Sequence, residues 1–339
     1  MKNTDFQKIN DLLSHPSRIL ITTHTNPDGD AIGSSLALCA YLAKKNHQVK
    51  VIVPDSFPEF LAWTPGQENV LIFNEDNRKC SSLIFEADII FCVDFNNLDR
   101  LNEAGTLVMQ SKAVKILIDH HLYPSPHFDL KISINRTSST SEIIYDFIIA
   151  SGDQALLDKS IAECIYAGII TDTGSFSYSC NYVKTYETVA HLYKLGIDGE
   201  HIHRLIYDTY SENRLRLLGY SISDKLVVLS EFNTAYITLS KEELQRFEYR
   251  VGDTEGVVNY ALSMKNINLA ALFMERDGVV KISFRSKGNF SVDELARNHF
   301  NGGGHRNASG ANCQTSLDQT VRMFLDLLPG LRDQLKSVY

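Results

Sequence analysis

Residues 18–35 read Arg18-Ile19-Leu20-Ile21-Thr22-Thr23-His24-Thr25-Asn26-Pro27-Asp28-Gly29-Asp30-Ala31-Ile32-Gly33-Ser34-Ser35. A β-branched apolar run stops at a histidine, a tight turn follows, and a helical pattern begins at Ala31. Proline presets φ in such a turn, and asparagine and glycine tolerate the left-handed backbone it needs. The turn lets His24, Asp28 and Asp30 converge, in front of a helix start whose amides and dipole attract anions. Taken alone, the stretch has a plainer reading: Asp28 and Asp30 cap the helix and His24 is a chance surface histidine.

The same strand-then-helix pattern extends outward through the first half of the chain. Candidate strands are Arg18 to Thr23, Val49 to Val53, Ala87 to Val93 and Val114 to Ile118, with the end of the Ile161 to Ile170 run as a further one. Candidate helices are Ala31 to Lys45, Ser141 to Ser151, Asp158 to Ala167 and Val183 to Leu195, each with apolar residues three to four apart. Continuous apolar strands alternating with helices predict an α/β fold with a doubly wound, mainly parallel sheet, buried on both faces. Ligands of such sheets collect outside the carboxyl ends of the strands.

Four apolar runs end in a carboxylate or histidine: His24 after the first, Asp94 after Ile89 to Val93, Asp119 after Ile116 to Ile118, and Asp172 after Gly168 to Thr171. One carboxylate after a strand is usually a cap. Four side by side would repel each other and destabilise the fold unless cations neutralised them. Carboxylates with a few imidazoles suit Mn²⁺ or Co²⁺, whereas an all-oxygen set would suit Mg²⁺. The residues are too many for one ion. Two ions about 3.5 to 4 Å apart can clamp the attacking and leaving oxygens of a displacement at phosphorus.

With 339 residues the chain exceeds the usual size of one core, so two domains are expected. The expected division is 1–197, a helical linker over 198–222, and a smaller mixed α/β domain over 223–339. That last part carries strand-like runs Leu226 to Leu229, Thr234 to Leu239, Leu269 to Glu275 and Val279 to Ser286, with a turn signal at Arg276-Asp277-Gly278. Helical patterns cover Lys241 to Phe247, Gly256 to Ser263, Ser291 to Asn298 and Leu317 to Lys336. Six scattered cysteines without a CxxC pair indicate neither a disulfide framework nor a thiolate zinc site. No signal-peptide or membrane-spanning pattern occurs, so a cytoplasmic protein without membrane partners is expected.

A formal net charge of -8 argues against coating long nucleic acid, which relies on phosphate neutralisation. Positive charge is nevertheless local: between 276 and 306, six Lys and Arg residues face three acids. Arg285 suits bidentate contact with phosphate, and the Gly302-Gly303-Gly304 run would let amides approach an anion while presenting His305. A glycine run can equally be a plain flexible turn.

Together, residues 24–30, Asp94, Asp119-His120-His121 and Gly168 to Gly174 resemble the four ordered motifs of the DHH phosphoesterase superfamily. Asp253 to Asn259, Lys281 to Ser286 and Gly302 to Gly310 resemble the DHH-associated domain that follows in that family. The resemblance implies that His24, Asp28 and Asp94 hold a first metal and Asp30, Asp94, His120 and Asp172 a second, with Asp94 bridging. It makes Asp119 an orienting residue and places His121 at the substrate phosphate. Arg100 would contact phosphate or be a surface charge. Arg285, Ser286, Gly302, Gly303, Gly304 and His305 would bind substrate. The nano-RNase and pAp phosphatase group is the most similar, implying short RNA oligonucleotides and 3′-phosphoadenosine 5′-phosphate (pAp) as substrates, two divalent ions, and compatibility with a homodimer. Phosphodiesterases of cyclic di-AMP or pApA, exopolyphosphatases and pyrophosphatases of the same superfamily are alternatives. A catalytically silent nucleotide-binding regulator is the non-enzyme alternative, and it predicts eroded ligand positions.

Overall fold

The computed structural model describes residues 4–276 and 278–336. Asp277, at the centre of the expected turn, lies outside the described residues. Two compact units divide the chain, Met1–Thr209 and Tyr210–Tyr339. The stretch expected as a linker consists of two helices, one belonging to each unit.

The first unit contains α1 (Thr4–Leu12), β1 (Arg18–Thr22), α2 (Gly29–Lys44), β2 (Gln48–Val53), β3 (Val70–Ile72), α3 (Asn77–Glu86), β4 (Ile89–Val93), α4 (Glu103–Gln110), β5 (Val114–Asp119), β6 (Leu130–Ser133), α5 (Thr140–Ala150), α6 (Lys159–Asp172), α7 (Val183–Lys194) and α8 (Gly199–Tyr207). Its six strands are all parallel, in the order β3-β2-β1-β4-β5-β6. Successive β1 side chains go to opposite cores: Ile19 and Ile21 pack with α2, α5 and α6, and Leu20 with α3 and α4. Burial on both faces is why these strands read as unbroken apolar runs. The order reverses between β1 and β4, and that switch point is where a doubly wound sheet opens a crevice.

The end of the Ile161 to Ile170 run is not a strand. Asp158 caps α6 by accepting from the Ile161 amide, and the helix continues unbroken to Asp172. It packs against α2, α5, α7 and α8, so nearly its whole circumference is apolar and its helical period is blurred. Helices α2 and α6 approach so closely that a Cβ on Gly33 would lie 2.5 Å from the Cys164 carbonyl oxygen. A Cβ on Gly168 would lie 1.9 Å from Ser141 Oγ and 2.7 Å from Asp30 Oδ1, so only glycine lets α6 reach α5 and the Asp30 carboxylate.

The second unit contains α9 (Glu212–Ser223), β7 (Leu226–Leu229), β8 (Thr234–Leu239), α10 (Lys241–Arg246), α11 (Val257–Ser263), β9 (Leu269–Arg276), β10 (Val279–Ser286), α12 (Val292–Phe300), β11 (Gly303–His305), β12 (Ala308–Cys313) and α13 (Leu317–Lys336). Its sheet runs β11-β12-β10-β9-β8-β7, antiparallel except for the β8–β9 pair. Helices α12 and α13 cover one face, α9 to α11 the other. Gly303 and Gly304, in the run read as either an approach for an anion or a plain flexible turn, begin edge strand β11, paired to β12. No helix among the described residues is long and apolar enough to cross a membrane.

Candidate active site

Three parallel strands converge at the switch point. His24 follows β1, Asp94 follows β4, and Asp119 ends β5 with His120 and His121 behind it. Asp28 caps α2 and Asp30 sits in its first turn. The fourth arrival is the C-terminal residue of α6, Asp172, rather than the end of a strand. A helix C-terminus carries partial negative charge, so a carboxylate there, beside other carboxylates, calls for a cation.

Asp94 is 2% exposed and occupies a left-handed conformation with φ 66. It lies between two imidazoles: its Oδ2 is 3.6 Å from His24 Nε2 and its Oδ1 is 3.4 Å from His120 Nε2. Asp28 Oδ2 completes one trio at 3.9 Å from His24 Nε2. Asp172 Oδ2 at 3.5 Å and Asp30 Oδ2 at 3.8 Å complete another around His120 Nε2. Each trio offers one ligand atom per residue within 4.8 Å of one another. Ligand atoms of a common divalent ion stand about 3 to 4 Å apart, so these carboxylate and imidazole atoms form clusters that could hold metal ions.

Both readings of Asp28 hold together. Its Oδ1 accepts from the amides of Asp30 and Ala31 as a helix cap, while Oδ2 faces His24. His24 Nδ1 donates to the Thr25 carbonyl at 2.8 Å, which turns Nε2 toward the carboxylates, as ligand histidines require. Asp119 orients His121 rather than His120, accepting from its Nδ1 at 2.7 Å, and the other Asp119 oxygen is buried without a hydrogen-bond partner.

Burial and the neighbouring charges shift the proton affinities within the cluster in opposite directions. Burial, with Asp94 and Asp172 behind it, pushes Asp30 well above the usual carboxylate range. Burial alone would depress His120, but Asp172, Asp94 and Asp30 overcome it and hold the imidazolium well above its usual range. Burial and then Arg100 oppose protonation of His24, yet Asp94 and Asp28 raise it on balance. Burial also opposes ionisation of Asp94, while His120 and His24 hold it well below the usual range. The backbone of Arg100 is tied to the turn after β1, its carbonyl accepting from the Thr25 amide.

The α5 N-terminus is the part that sequence reasoning missed. Thr140 and Ser141 donate their amides to Asp30 at 2.6 and 2.8 Å, and Thr140 Oγ1 donates to Asp94 Oδ1 at 2.8 Å. Ser138 to Glu142 are all fully or almost fully buried. A Ser139-x-x-Glu142 capping signature was visible, but nothing in it announces contact with Asp30 or Asp94.

In the second unit, Arg285 lies on β10 and its Nη1 donates to the Phe284 carbonyl. Ser286 is buried, its hydroxyl donating to the Phe290 carbonyl and accepting from Asn307 Nδ2. The Gly302 amide donates to Ala296 and the Gly304 amide to Asp293, so these two do not point outward as an anion cradle. His305 ends β11, and its carbonyl accepts from Ser309 Oγ.

Residues 18–169 match the DHH family N-terminal domain, and residues 233–329 match the DHHA1 domain. The bifunctional oligoribonuclease and PAP phosphatase NrnA of Bacillus subtilis is 29% identical, aligned over 91% of this chain and 93% of its own. A probable enzyme of the same name from Streptococcus mutans is 30% identical over 87% and 89%. A solved structure of an exopolyphosphatase-related protein from Bacteroides fragilis is 42% identical, covers 98% of both chains and superposes with a TM-score of 0.92. Matches this complete, with both domain models met in order, make the chain a member of the DHH family of metal-dependent phosphoesterases.

Proposed function

We propose that this protein hydrolyses short RNA oligonucleotides to mononucleotides and removes the 3′-phosphate of pAp, using two divalent cations, manganese foremost. The observation that carries the reading is Asp94 held between His24 and His120, each with its own carboxylate partners. None of the ligand positions is eroded, which counts against a silent regulator. The activities named for the Bacillus and Streptococcus relatives support the substrate choice.

In this reading His24, Asp28 and Asp94 hold one cation, and Asp30, Asp94, His120 and Asp172 the other. Bound there, the pair supplies Lewis-acid stabilisation of the charge that develops at phosphorus. His121, fixed through Nδ1 by Asp119, would as imidazolium give its Nε2 proton to the departing oxygen as that P–O bond breaks; the water oxygen bonds to phosphorus in its place and sheds a proton to solvent, from which His121 is reprotonated. Arg100 adds positive charge at the phosphate. Arg285 and His305 bind the remainder of the substrate. Ser286 supports that binding indirectly, because its hydroxyl holds the loop after β10.

The Bacteroides fragilis relative's description favours a second reading, polyphosphate hydrolysis. Presenting the Mn²⁺-loaded protein with two- to five-residue RNA, pAp, cyclic di-AMP, linear pApA, pyrophosphate and polyphosphate separates the two. Short RNA and pAp are expected to turn over fastest. Preference for polyphosphate or cyclic di-AMP would overturn the substrate choice and leave the phosphoesterase assignment standing.

A further inference from the structure

The first turn of α5 serves one half of the candidate metal cluster more than the other. Its amides from Thr140 and Ser141 hold both oxygens of Asp30, which belongs only to the trio around His120. Its Thr140 hydroxyl donates to Asp94 Oδ1, the oxygen 3.4 Å from His120, and not to Oδ2, which faces His24. The turn is itself held in place. Ser139 caps it by accepting from the Glu142 amide. The buried Glu142 carboxylate accepts from the Ser138 amide, the Ser138 hydroxyl and the Thr185 hydroxyl of α7. A carboxylate fixed by such donors is spared the cost of being ordered when an ion arrives, and losing an outer partner typically costs 10- to 100-fold in metal affinity.

We propose that Thr140 is a positioning residue that makes the two cation sites unequal, pre-ordering the Asp30–Asp94–His120–Asp172 site while leaving the His24–Asp28–Asp94 site largely independent of it. The proposal rests on the two-cation reading above. Thr140 touches no reacting atom; its hydroxyl selects which oxygen of the shared carboxylate is pinned. The isosteric change Thr140→Val removes that hydroxyl and keeps both the amide and the β-branched shape. Thr140→Ser keeps the hydroxyl.

The test is titration of chelator-stripped protein with Mn²⁺, followed by calorimetry and by loss of the free-ion electron paramagnetic resonance signal, with thermal unfolding of the metal-free proteins measured alongside. Wild type is expected to bind two ions. Thr140→Val is expected to bind one ion within about 3-fold of the wild-type affinity and the other about 10- to 100-fold more weakly, with Thr140→Ser returning toward wild type. Should the valine variant not fold, Thr140→Ala carries the same expectation. Equal weakening of both sites, weakening of neither, or a serine variant as impaired as valine would overturn the role of Thr140 alone. A wild-type protein binding fewer than two ions would instead overturn the two-cation reading and, with it, the asymmetry.

Discussion

The switch point of the first unit and the glycine run of the second were the two places where sequence chemistry pointed to ligands, and they come out differently. At the switch point, polar side chains are buried in a converging set whose own hydrogen bonds do not satisfy it: Asp119 Oδ2 has no partner, and Asp30 accumulates neighbouring negative charge. Around Gly302 to Gly304, backbone groups already find partners in Ala296, Asp293 and β12. Unmet polar demand marks a site for an external ligand; satisfied demand marks architecture.

The sharpest way to break that contrast is Asp94→Asn. Asparagine tolerates the left-handed backbone that would strain alanine, so the change removes charge with little effect on folding. Loss of about 3 to 4 kcal/mol of transition-state stabilisation corresponds to a fall in kcat/KM of roughly 10²- to 10³-fold or more, read in a steady-state assay. Asp119→Asn leaves the shape intact but loosens His121; a fall of about 10- to 100-fold is expected in kcat, with KM nearly unchanged.

Protons sharpen the contrast further. Because the folded protein raises His24, His120 and Asp30, the metal-free cluster is protonated below those raised values, and cations must displace the protons. Apparent Mn²⁺ affinity should therefore fall about tenfold per pH unit for each proton displaced as pH drops through that range, and level off above it. Calorimetric titrations in two buffers of different ionisation enthalpy would count the released protons. Pairs of glycine variants give the smallest effects. Gly303→Ala meets only the tip of Arg297 and Asp293 at 3.3 to 3.4 Å, so KM and thermal stability should stay within about twofold and 1 kcal/mol of wild type. Gly302→Ala would put Cβ 2.2 Å from the Gly310 carbonyl oxygen and should destabilise the protein by about 1 to 3 kcal/mol. A large KM increase in Gly303→Ala without loss of stability would restore the glycine run as an anion site.

Strands that alternate, such as β10 with Val280, Ile282 and Phe284 turned inward, were legible to the residue, as were β7, β8 and α13. Helix α6 was read only as far as Ala167; burial on nearly all sides blurred its period and let its last turn pass for a strand. Strand β3 has only three residues, and β6, Leu130-Lys131-Ile132-Ser133, lacks the unbroken apolar run by which its neighbours were read. The strand ends and the family resemblance together pointed to His24, Asp28, Asp30, Asp94, His120 and Asp172, and the structure brings these side chains into one cluster. Thr140 was not legible, because a Ser/Thr run before a helix looks like ordinary capping until the carboxylates it meets are seen in space.

Anomalous diffraction from crystals grown with Mn²⁺ addresses the central claim most directly. Two peaks flanking the Asp94 carboxylate, one beside His24 and Asp28 and the other beside Asp30, His120 and Asp172, are the predicted result. A single peak, or peaks that do not share Asp94, would contradict it.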